Sequence, residues 1–339
     1  MIKKAMVMAA GMGSRLEPLT LNTPKPLIKI ANIPVMDILL KNLKKYGITD
    51  VIANTYYLSE QIIERYAENK AVNINFSYIK EDELSGTAGG LKKCQHFFDD
   101  GENFLVTSAD GFFDIDLSKV FEAHTKSGAI ATIVAKDIHI DDVSNFGVIV
   151  CDENSYVKEF QEKPSKEEAK STLINTGIYV FNYKIFDYIP ANTFFDFAKN
   201  VFPSLMQNNE KINVYKTNEY WCDIGTIGQY IQTHKDIFNG VIKIEDTKIE
   251  NFYSSKLILG NKPIISSSTK LVGDNTIGNN CIFEENTTIE NSIIYDNVKI
   301  IKNSTVKNSI IAENSIISGN ITDKVIGANS ILEHTLEEV

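Results

Sequence analysis

The chain has 339 residues, of which 43% are hydrophobic and 23% charged, and its formal net charge is −10 at pH 7. This length suits two domains, the acidic balance disfavours nucleic acid as a partner, and no apolar run in the sequence reaches the length of a membrane span. The four cysteines lie far apart without a CxxC pair, which argues against a zinc site or a disulfide framework and favours a reducing, cytoplasmic location.

The first part of the chain alternates strand-like and helix-like segments. Short apolar runs predict buried parallel strands at Lys4–Ala9, Asp50–Asn54, Asn103–Thr107 and Ala129–Ala135. Helical spacing of apolar residues predicts helices over Val35–Tyr46, Ser59–Asn69, Thr87–Phe98 and Leu117–Ser127. This alternation predicts an α/β domain over residues 1–240, with a Rossmann-like mixed, mainly parallel sheet sandwiched by helices. Such sheets bind ligands at the carboxyl ends of their strands.

The last part of the chain carries a six-residue repeat. Aliphatic or aromatic residues recur every six positions at Ile265, Leu271, Ile277, Phe283, Ile289, Tyr295 and Ile301. After a slip of one residue the period resumes at Val306 and Ala312. Neither an α-helix nor a flat strand has this period, whereas a left-handed hexapeptide β-helix does. We therefore predict a β-helix of about four coils over residues 263–339, with its repeated apolar residues pointing inward, and a linker over 241–262.

A glycine-rich turn follows the first predicted strand. Gly11 and Gly13 let backbone N–H groups approach a phosphate closely. A dinucleotide-binding GxGxxG motif would need glycine where Leu16 stands and then a helix, which the three prolines that follow forbid. A Walker A loop would need a Gly-Lys-Ser/Thr sequence, which is absent. The pattern instead predicts a long loop whose cations, Arg15 and Lys25, face whatever the turn holds.

These letters resemble the signature of the NDP-sugar pyrophosphorylases, which are sugar-1-phosphate nucleotidyltransferases. The resemblance extends over nearly the whole chain, with motifs in the family order at Gly11–Thr20, Pro24–Pro26, Gly86–Gly90, Leu105–Asp110, Phe146–Ile149, Phe160–Pro164, Asn175–Tyr179 and Trp221–Thr226, and with a hexapeptide-repeat region behind them. It implies a reaction in which a sugar 1-phosphate attacks a nucleoside triphosphate, giving an NDP-sugar and pyrophosphate.

The resemblance also implies roles for particular residues. Arg15 would hold the leaving pyrophosphate, Lys25 the α-phosphate, and Lys163 the sugar phosphate. Asp110 and Asp223 would hold Mg²⁺, whose preference for oxygen ligands and phosphate suits two carboxylates. The catalytic set is then Arg15, Lys25 and Asp110; the nucleotide-binding set Ala10, Gly11, Gly13, Glu81, Gly86 and Thr87; and the sugar-binding set Gly147, Glu162, Lys163 and Asn175.

The substrate pair is a separate prediction. The chain most resembles mannose-1-phosphate guanylyltransferases, and a carboxylate at Glu81 would suit the two donors on the Watson–Crick edge of guanine, so GTP and mannose 1-phosphate are expected. Glucose-1-phosphate thymidylyl-, uridylyl- and adenylyltransferases share most of these motifs. Non-catalytic regulatory subunits that bind nucleotide sugars tend to lose the cations and carboxylates that this chain keeps.

The β-helix is predicted to serve assembly or regulation. A bifunctional acetyltransferase would normally have a much longer β-helix, and here His334 is the one histidine of that region. Flat faces and coil ends invite packing, so a homo-oligomer is expected. No membrane or nucleic-acid partner is expected, and the partners are a nucleoside triphosphate and a sugar 1-phosphate.

Overall fold

The computed structural model describes residues 2–69, 71–252 and 255–332, so His334 lies outside the described part. The chain divides into two compact units. The first consists of Met1–Met12 and Met36–Asp223, and the second of Gly13–Val35 and Ile224–Val339. This division differs from the predicted one, because the loop after the first strand and the helix before residue 240 belong with the C-terminal repeats.

The first 240 residues contain thirteen strands and six α-helices among the residues described. The strands β1 to β13 are Lys4–Ala9, Lys29–Ile30, Ile33–Pro34, Asp50–Thr55, Asn75–Lys80, Phe104–Ser108, Gly111–Phe113, Ala131–Asp137, Gly147–Cys151, Val157–Glu162, Leu173–Phe181, Ile212–Thr217 and Trp221–Asp223. The helices α1 to α6 are Val35–Lys45, Ser59–Tyr66, Gly86–Lys93, Leu117–Ser127, Phe202–Gln207 and Ile227–Phe238. Each predicted strand and helix is found, with ends shifted by at most a few residues; two predicted helices finish in 3₁₀ turns, at Ala67–Asn69 and Gln95–Phe98.

Helix α4 shows how local sequence sets the limits of an element. The side chain of Asp116 accepts a hydrogen bond from Ser118 N at 3.0 Å, which satisfies a free amide of the first turn. Gly128 follows the last residue in the left-handed conformation, with φ of 62°. Leu117, Val120 and other residues at helical spacing are buried, so the helix lies with one apolar face on the sheet.

The first unit is built on a nine-stranded mixed sheet. Strand β1 is paired in parallel with β4 and β6, and β4 with β5. Strand β11 runs antiparallel to β6, β8 and β9, and β10 runs antiparallel to β9. Strand β12 is parallel to β8, so seven of the nine strands described run in one direction and only β10 and β11 are reversed. The sheet is therefore mainly parallel, as predicted, and the carboxyl ends of β1, β4, β5 and β6 share one edge.

An aromatic cluster fills the core beneath this sheet. Phe98 stacks on Phe104 with ring centroids 4.1 Å apart, and Phe186 stacks on Phe104 at 5.6 Å. Phe181 and Phe197 continue the cluster at 5.2 Å. All five rings are buried, and burying a side chain of this size contributes on the order of 2–3 kcal/mol.

The second unit contains the predicted left-handed β-helix. Its strands β14 to β28 are Glu250–Phe252, Ser255–Leu259, Ile264–Ile265, Lys270–Val272, Asp274–Ile277, Ile282–Phe283, Thr288–Glu290, Ile293–Ile294, Lys299–Ile300, Thr305–Lys307, Ile310–Ile311, Ile316–Ile317, Asn320–Thr322, Val325–Ile326 and Ile331–Leu332. From β15 onward they form three parallel ladders. The coil therefore begins at Ser255, earlier than the predicted start at residue 263.

The coils are not all three hexads long. Paired residues are 18 positions apart in the first coil (Ile264 and Ile282), then 17 (Ile282 and Lys299) and, in the last, 15 (Ile316 and Ile331). The apolar repeat therefore slips earlier than predicted.

The slip changes which residues fill the interior. The predicted residues Ile265, Leu271, Ile277, Phe283, Ile289 and Val306 do line the apolar core of the coil. The prediction was wrong at Tyr295, Ile301 and Ala312, because the core is continued by their neighbours Ile294, Ile300 and Ile311. Tyr295 is buried instead against Tyr230 of α6, with the two hydroxyl oxygens 2.9 Å apart.

Asparagine shapes the corners of the coil. Asn280, Asn297 and Asn314 have positive φ, a conformation that asparagine tolerates better than most residues. Their side chains also form a ladder between coils, with Asn280 Nδ2 donating to Asn297 Oδ1 at 3.2 Å and Asn297 Nδ2 to Asn314 Oδ1 at 3.0 Å. The polar residues between the apolar positions thus make the turns.

Among the described residues, no helix is long and apolar enough to cross a membrane.

Gly260 gives a stability test of the coil. A Cβ at this position would lie 2.5 Å from the carbonyl carbon of Gly278, so Gly260→Ala should lower the free energy of unfolding by about 1–3 kcal/mol. The matched control is Gly228→Ala in α6, where the nearest atom, Thr226 Oγ1, is 3.9 Å away and alanine favours the helix. Thermal unfolding of both variants measures the difference, and equal melting temperatures would contradict this packing.

Candidate active site

The carboxyl edge of the parallel strands gathers several predicted site residues of the first unit. Ala10 and Gly11 follow β1, Glu81 follows β5, and Asp110 lies two residues after β6. Because these strands are parallel and adjacent, the segments that follow them emerge on the same side of the sheet. The fold therefore places predicted nucleotide-binding and metal-binding residues at one edge, as expected for a ligand site.

A buried hydrogen-bond network joins the ends of β1, β4 and β5. Asn54, near the end of β4, accepts a hydrogen bond from Ala9 N at 3.3 Å and donates one to Glu81 Oε1 at 2.6 Å. The other oxygen of Glu81 accepts from Ser85 N at 3.1 Å and from Lys93 Nζ at 2.9 Å. The hydroxyl of Ser85 also donates to this oxygen. Sequence reasoning missed Asn54; a polar residue ending a buried strand was the available signal.

Glu81 is placed differently from its predicted role. Its side chain is 1% exposed, and both carboxylate oxygens are already bonded within the protein. Burial raises the pKa of this carboxyl, but the hydrogen bonds from Ser85, Asn54 and Lys93 outweigh that effect and hold the pKa below its ordinary value of 4.5. The carboxylate therefore fastens the turn before α3, and a base edge could reach it only if the side chains that bury it moved.

The start of α3 is held by a second chain segment. Gly86 has φ of 78°, and a Cβ there would lie 2.4 Å from the carbonyl oxygen of Phe195, so this turn requires glycine. The same carbonyl accepts the N–H groups of Ala88 and Gly89 at 3.0 Å each. Thr87 Oγ1 donates to the carboxylate of Asp196 at 2.9 Å. The N–H groups of Ala88 and Gly89 are thus already bonded within the protein. A nucleotide at this turn would have to bind to other groups of the turn.

The two predicted metal-binding carboxylates are brought together by strand pairing. Strand β13 is antiparallel to β7, and the register places Asp223 opposite Gly111, the residue after Asp110. Ser108 Oγ donates to the Asp110 carboxylate. Mg²⁺ commonly takes one or two protein carboxylates and completes its shell with water and substrate phosphates, so the oxygen donors of the two residues suit such an ion in chemistry. Among the described residues, no group of three or more His, Cys, Asp or Glu side chains gathers as a metal site.

Strands β9 and β10 bring together Gly147, Glu162 and Lys163. Glu162 is paired with Gly147 across the two strands. A Cβ at Gly147 would lie 2.5 Å from Phe160 Cζ and 3.2 Å from Glu162 Oε2, so glycine leaves room for both side chains. Lys163 has φ of 49°, and its N–H donates to Phe146 O at 3.1 Å. The exposed Lys163 side chain is available to an anion.

Asn175 lies on β11, beside these strands. Ile174, its neighbour, is paired with Val148 of β9. The Asn175 side chain donates to Tyr179 Oη at 2.8 Å and accepts from Gly177 N at 3.0 Å. These bonds fix its orientation and leave one side-chain hydrogen and one lone pair for a further partner, which suits a sugar hydroxyl.

The loop that holds Arg15 and Lys25 belongs to the second unit. Gly13 has φ of 71°, and its carbonyl accepts hydrogen bonds from Leu16 N and Thr20 Oγ1, both at 2.9 Å. A Cβ at Gly13 would lie 3.0 Å from Lys25 Cβ, so the glycine turn and the stem of Lys25 are in close contact. Arg15 and Lys25 each lie in a short 3₁₀ turn, Ser14–Leu16 and Lys25–Leu27.

An α/β sheet of this kind binds ligands at the carboxyl ends of its parallel strands. The family model described as nucleotidyl transferase matches residues 4–240. A UTP–glucose-1-phosphate uridylyltransferase of Synechocystis sp. is 33% identical over 323 residues, covering 86% of this chain and 83% of that protein. A mannose-1-phosphate guanylyltransferase of Mycobacterium tuberculosis is 27% identical, covering 87% and 80%. The solved structure of HddC from Yersinia pseudotuberculosis shares the fold, with a TM-score of 0.60 at 24% identity over 70% of this chain and 100% of that one.

The chain therefore belongs to the nucleotidyl transferase family, and its activity is that of a sugar-1-phosphate nucleotidyltransferase.

Glu81 provides a test of the strand-end network. Glu81→Gln should lower the melting temperature at pH 7, because the amide removes the ion pair with Lys93 and turns a donor toward other donors, at a cost of about 1–3 kcal/mol. The pKa of Glu81 in the folded protein lies below its ordinary value of 4.5. The stability that the carboxylate contributes is therefore fully present above pH 4.5 and is lost as the pH falls through the folded-state pKa. The difference from wild type should therefore shrink in acid.

The exposed neighbour Glu83 is the matched control for this substitution. Glu83→Gln makes the same chemical change without the buried partners and should leave the melting temperature close to that of wild type. If thermal unfolding at pH 7 gave the same value for both variants, the network would have no role in stability.

Proposed function

We propose that the chain transfers the uridylyl group of UTP to glucose 1-phosphate, giving UDP-glucose and pyrophosphate. The observation that carries the choice of base is the burial of Glu81 among Asn54, Ser85 and Lys93. Guanine was expected because an accessible carboxylate at this position suits its two donors, and that argument loses its basis when the side chain is buried within the protein. The similarity to a uridylyltransferase then supports UTP.

GTP with mannose 1-phosphate is the second candidate. The similarity to a mannose-1-phosphate guanylyltransferase over most of the chain favours it, and guanine could be recognised by groups other than Glu81. Self-association through the β-helix and a cytoplasmic location stay predictions from the sequence.

The proposed reaction is a single displacement at phosphorus. An oxygen of the sugar phosphate forms a bond to the α-phosphorus of the nucleoside triphosphate, the bond to the β-phosphate breaks, and pyrophosphate leaves with the electron pair. The attacking phosphate is already ionised at neutral pH, so no side-chain nucleophile is needed. The protein would act by positioning and by neutralising charge.

The site residues divide this work by charge. Arg15 would bind the leaving pyrophosphate through its forked guanidinium, and Lys25 would support the α-phosphate as a point charge. Lys163 would hold the sugar phosphate, and Glu162 and Asn175 would bind sugar hydroxyls. Asp110 and Asp223 would hold Mg²⁺, which supplies charge neutralisation at the phosphates when it is bound.

Substrate choice can be measured directly. The purified chain is incubated with Mg²⁺, inorganic pyrophosphatase and a matrix of GTP, UTP, dTTP, ATP and CTP against mannose, glucose and N-acetylglucosamine 1-phosphates, and phosphate release is recorded. The highest kcat/KM is expected for UTP with glucose 1-phosphate. A preference for GTP with mannose 1-phosphate would reject the uridylyl assignment in favour of the second candidate. Absence of turnover, with nucleotide-sugar binding by calorimetry, would instead support a regulatory subunit.

The carboxylate pair makes a second prediction. Asp110→Asn and Asp223→Asn should each lower kcat by about 10²-fold or more, the size seen when a group that stabilises transition-state charge is removed. Asp114→Asn is the matched control, because Asp114 is an exposed aspartate that directly follows strand β7, just as Asp110 directly precedes it. It should stay within a few-fold of wild type in steady-state kinetics. Near-normal turnover by both site variants would reject the proposed metal-binding role.

A further inference from the structure

The loop that carries Lys25 is fastened to the β-helix within the second unit. Thr23 Oγ1 donates to Glu313 Oε1 at 3.0 Å, and Lys29 Nζ lies 2.6 Å from Asp296 Oδ2. Asn32 Nδ2 adds a bond to the carbonyl oxygen of Ile277 at 2.9 Å. We call the segment between the first and last of these contacts, residues 23–32, the anchored loop.

Asp296 is held in place by the coil itself. Asn279, one coil earlier, donates to the Asp296 carboxylate through its backbone N–H and through its side chain, both at 3.0 Å. Although burial alone raises the pKa of Asp296, these bonds and the one from Lys29 lower it below its ordinary value. The β-helix therefore presents a fixed, ionised carboxylate to Lys29.

A second line of contacts fixes the backbone at the same point. Tyr230 of α6 donates its hydroxyl to the carbonyl oxygen of Lys29 at 2.8 Å, and its own oxygen lies 2.9 Å from the hydroxyl of Tyr295. Tyr295 precedes Asp296 in the coil. Lys29 is thus held by its side chain and by its backbone through neighbouring residues of one coil.

The side-chain contacts of Thr23 and Lys29 lie on either side of the turn that carries Lys25. Thr23 lies two residues before Lys25, and Lys29 lies four residues after it; the 3₁₀ turn Lys25–Leu27 stands between them. Such a short turn has few hydrogen bonds of its own, so the contacts at its ends help to set its position, together with the packing of Lys25 against Gly13. Both ends are set by carboxylates of successive coils, Glu313 and Asp296.

We propose that Asp296 and Glu313 are positioning residues for catalysis, through which the β-helix holds Lys25 in place. The inference rests on the proposed role of Lys25 at the α-phosphate. Neither carboxylate needs to touch substrate: each acts by fixing one end of the turn. A small misplacement of a catalytic cation is enough to reduce turnover strongly. The β-helix would then contribute to the chemistry of a single chain, in addition to any part in assembly.

The test compares two carboxylates of the β-helix, one paired with the anchored loop and one paired within the coil. Asp296→Asn weakens the contact with Lys29, whereas Glu284→Gln weakens the contact of Glu284 with Lys299, 2.8 Å away. Glu284 is a good match, because it also accepts a backbone N–H one coil away, from Lys302 at 3.0 Å. In the full-length chain, Asp296→Asn should lower kcat about tenfold while its melting temperature shifts no more than that of Glu284→Gln.

Lys29 variants separate positioning from a general loss of structure. Lys29→Met should reproduce the loss of Asp296→Asn, and the double variant should lose no more than either single variant, because one interaction is removed in each case. Lys29→Arg keeps the charge and should retain most of the activity. Additive losses in the double variant would overturn the proposed pairing.

Amide hydrogen exchange of residues 23–32 gives a readout that does not depend on activity. Asp296→Asn should speed exchange in this loop, and Glu284→Gln should not. If neither variant speeds exchange, the anchoring is rejected. If exchange rises but kcat is unchanged, the anchor exists without a positioning role and the inference is wrong. If exchange rises and wild type turns over no substrate pair, the anchoring stands and the proposed function, with Lys25's part in it, fails.

Discussion

The pairing of β13 with β7 is the constraint on which the proposed site depends. It carries Asp223 from far along the chain to the position beside Gly111 and hence next to Asp110. The same strand begins with Trp221, whose ring packs edge-on against Phe146 at 5.6 Å. Phe146 in turn accepts the N–H of Lys163. One short strand therefore ties the carboxylate pair to the segment that would hold the sugar phosphate.

The proposed site residues are distributed over both compact units. The first unit holds the carboxylate pair, the buried network around Glu81 and the strands that carry Glu162 and Lys163. The second unit holds the loop with Lys25 and fastens it to the coil through Asp296. The contacts within each unit hold that unit's charged groups in place. Charges that are already in place need no reorganisation during the reaction, and electrostatic catalysis depends on such preorganisation.

Features that depend on local sequence could be predicted. The helical spacing around Leu117–Ser127 and the apolar runs at β1 and β4 predicted those elements with close limits, and the six-residue period predicted the coil. Side-chain partners distant in sequence could not be predicted. Nothing in the sequence shows that the side chains of Asn54 and Lys93 donate hydrogen bonds to the carboxylate of Glu81. The slip to Ile294 was also hidden, because Ile293, Ile294 and Tyr295 are all apolar or aromatic and only strand pairing decides which of them points inward.

The proposed chemistry depends on Asp110 and Asp223 together holding a divalent ion against the substrate phosphates. The most direct measurement is binding of Mn²⁺, followed by its paramagnetic signal, to wild type and to Asp110→Asn and Asp223→Asn in the presence of a non-hydrolysable UTP analogue. Wild type should bind the ion together with the nucleotide, and either substitution should weaken this binding strongly. Mn²⁺ binding of wild-type strength in both variants would contradict it.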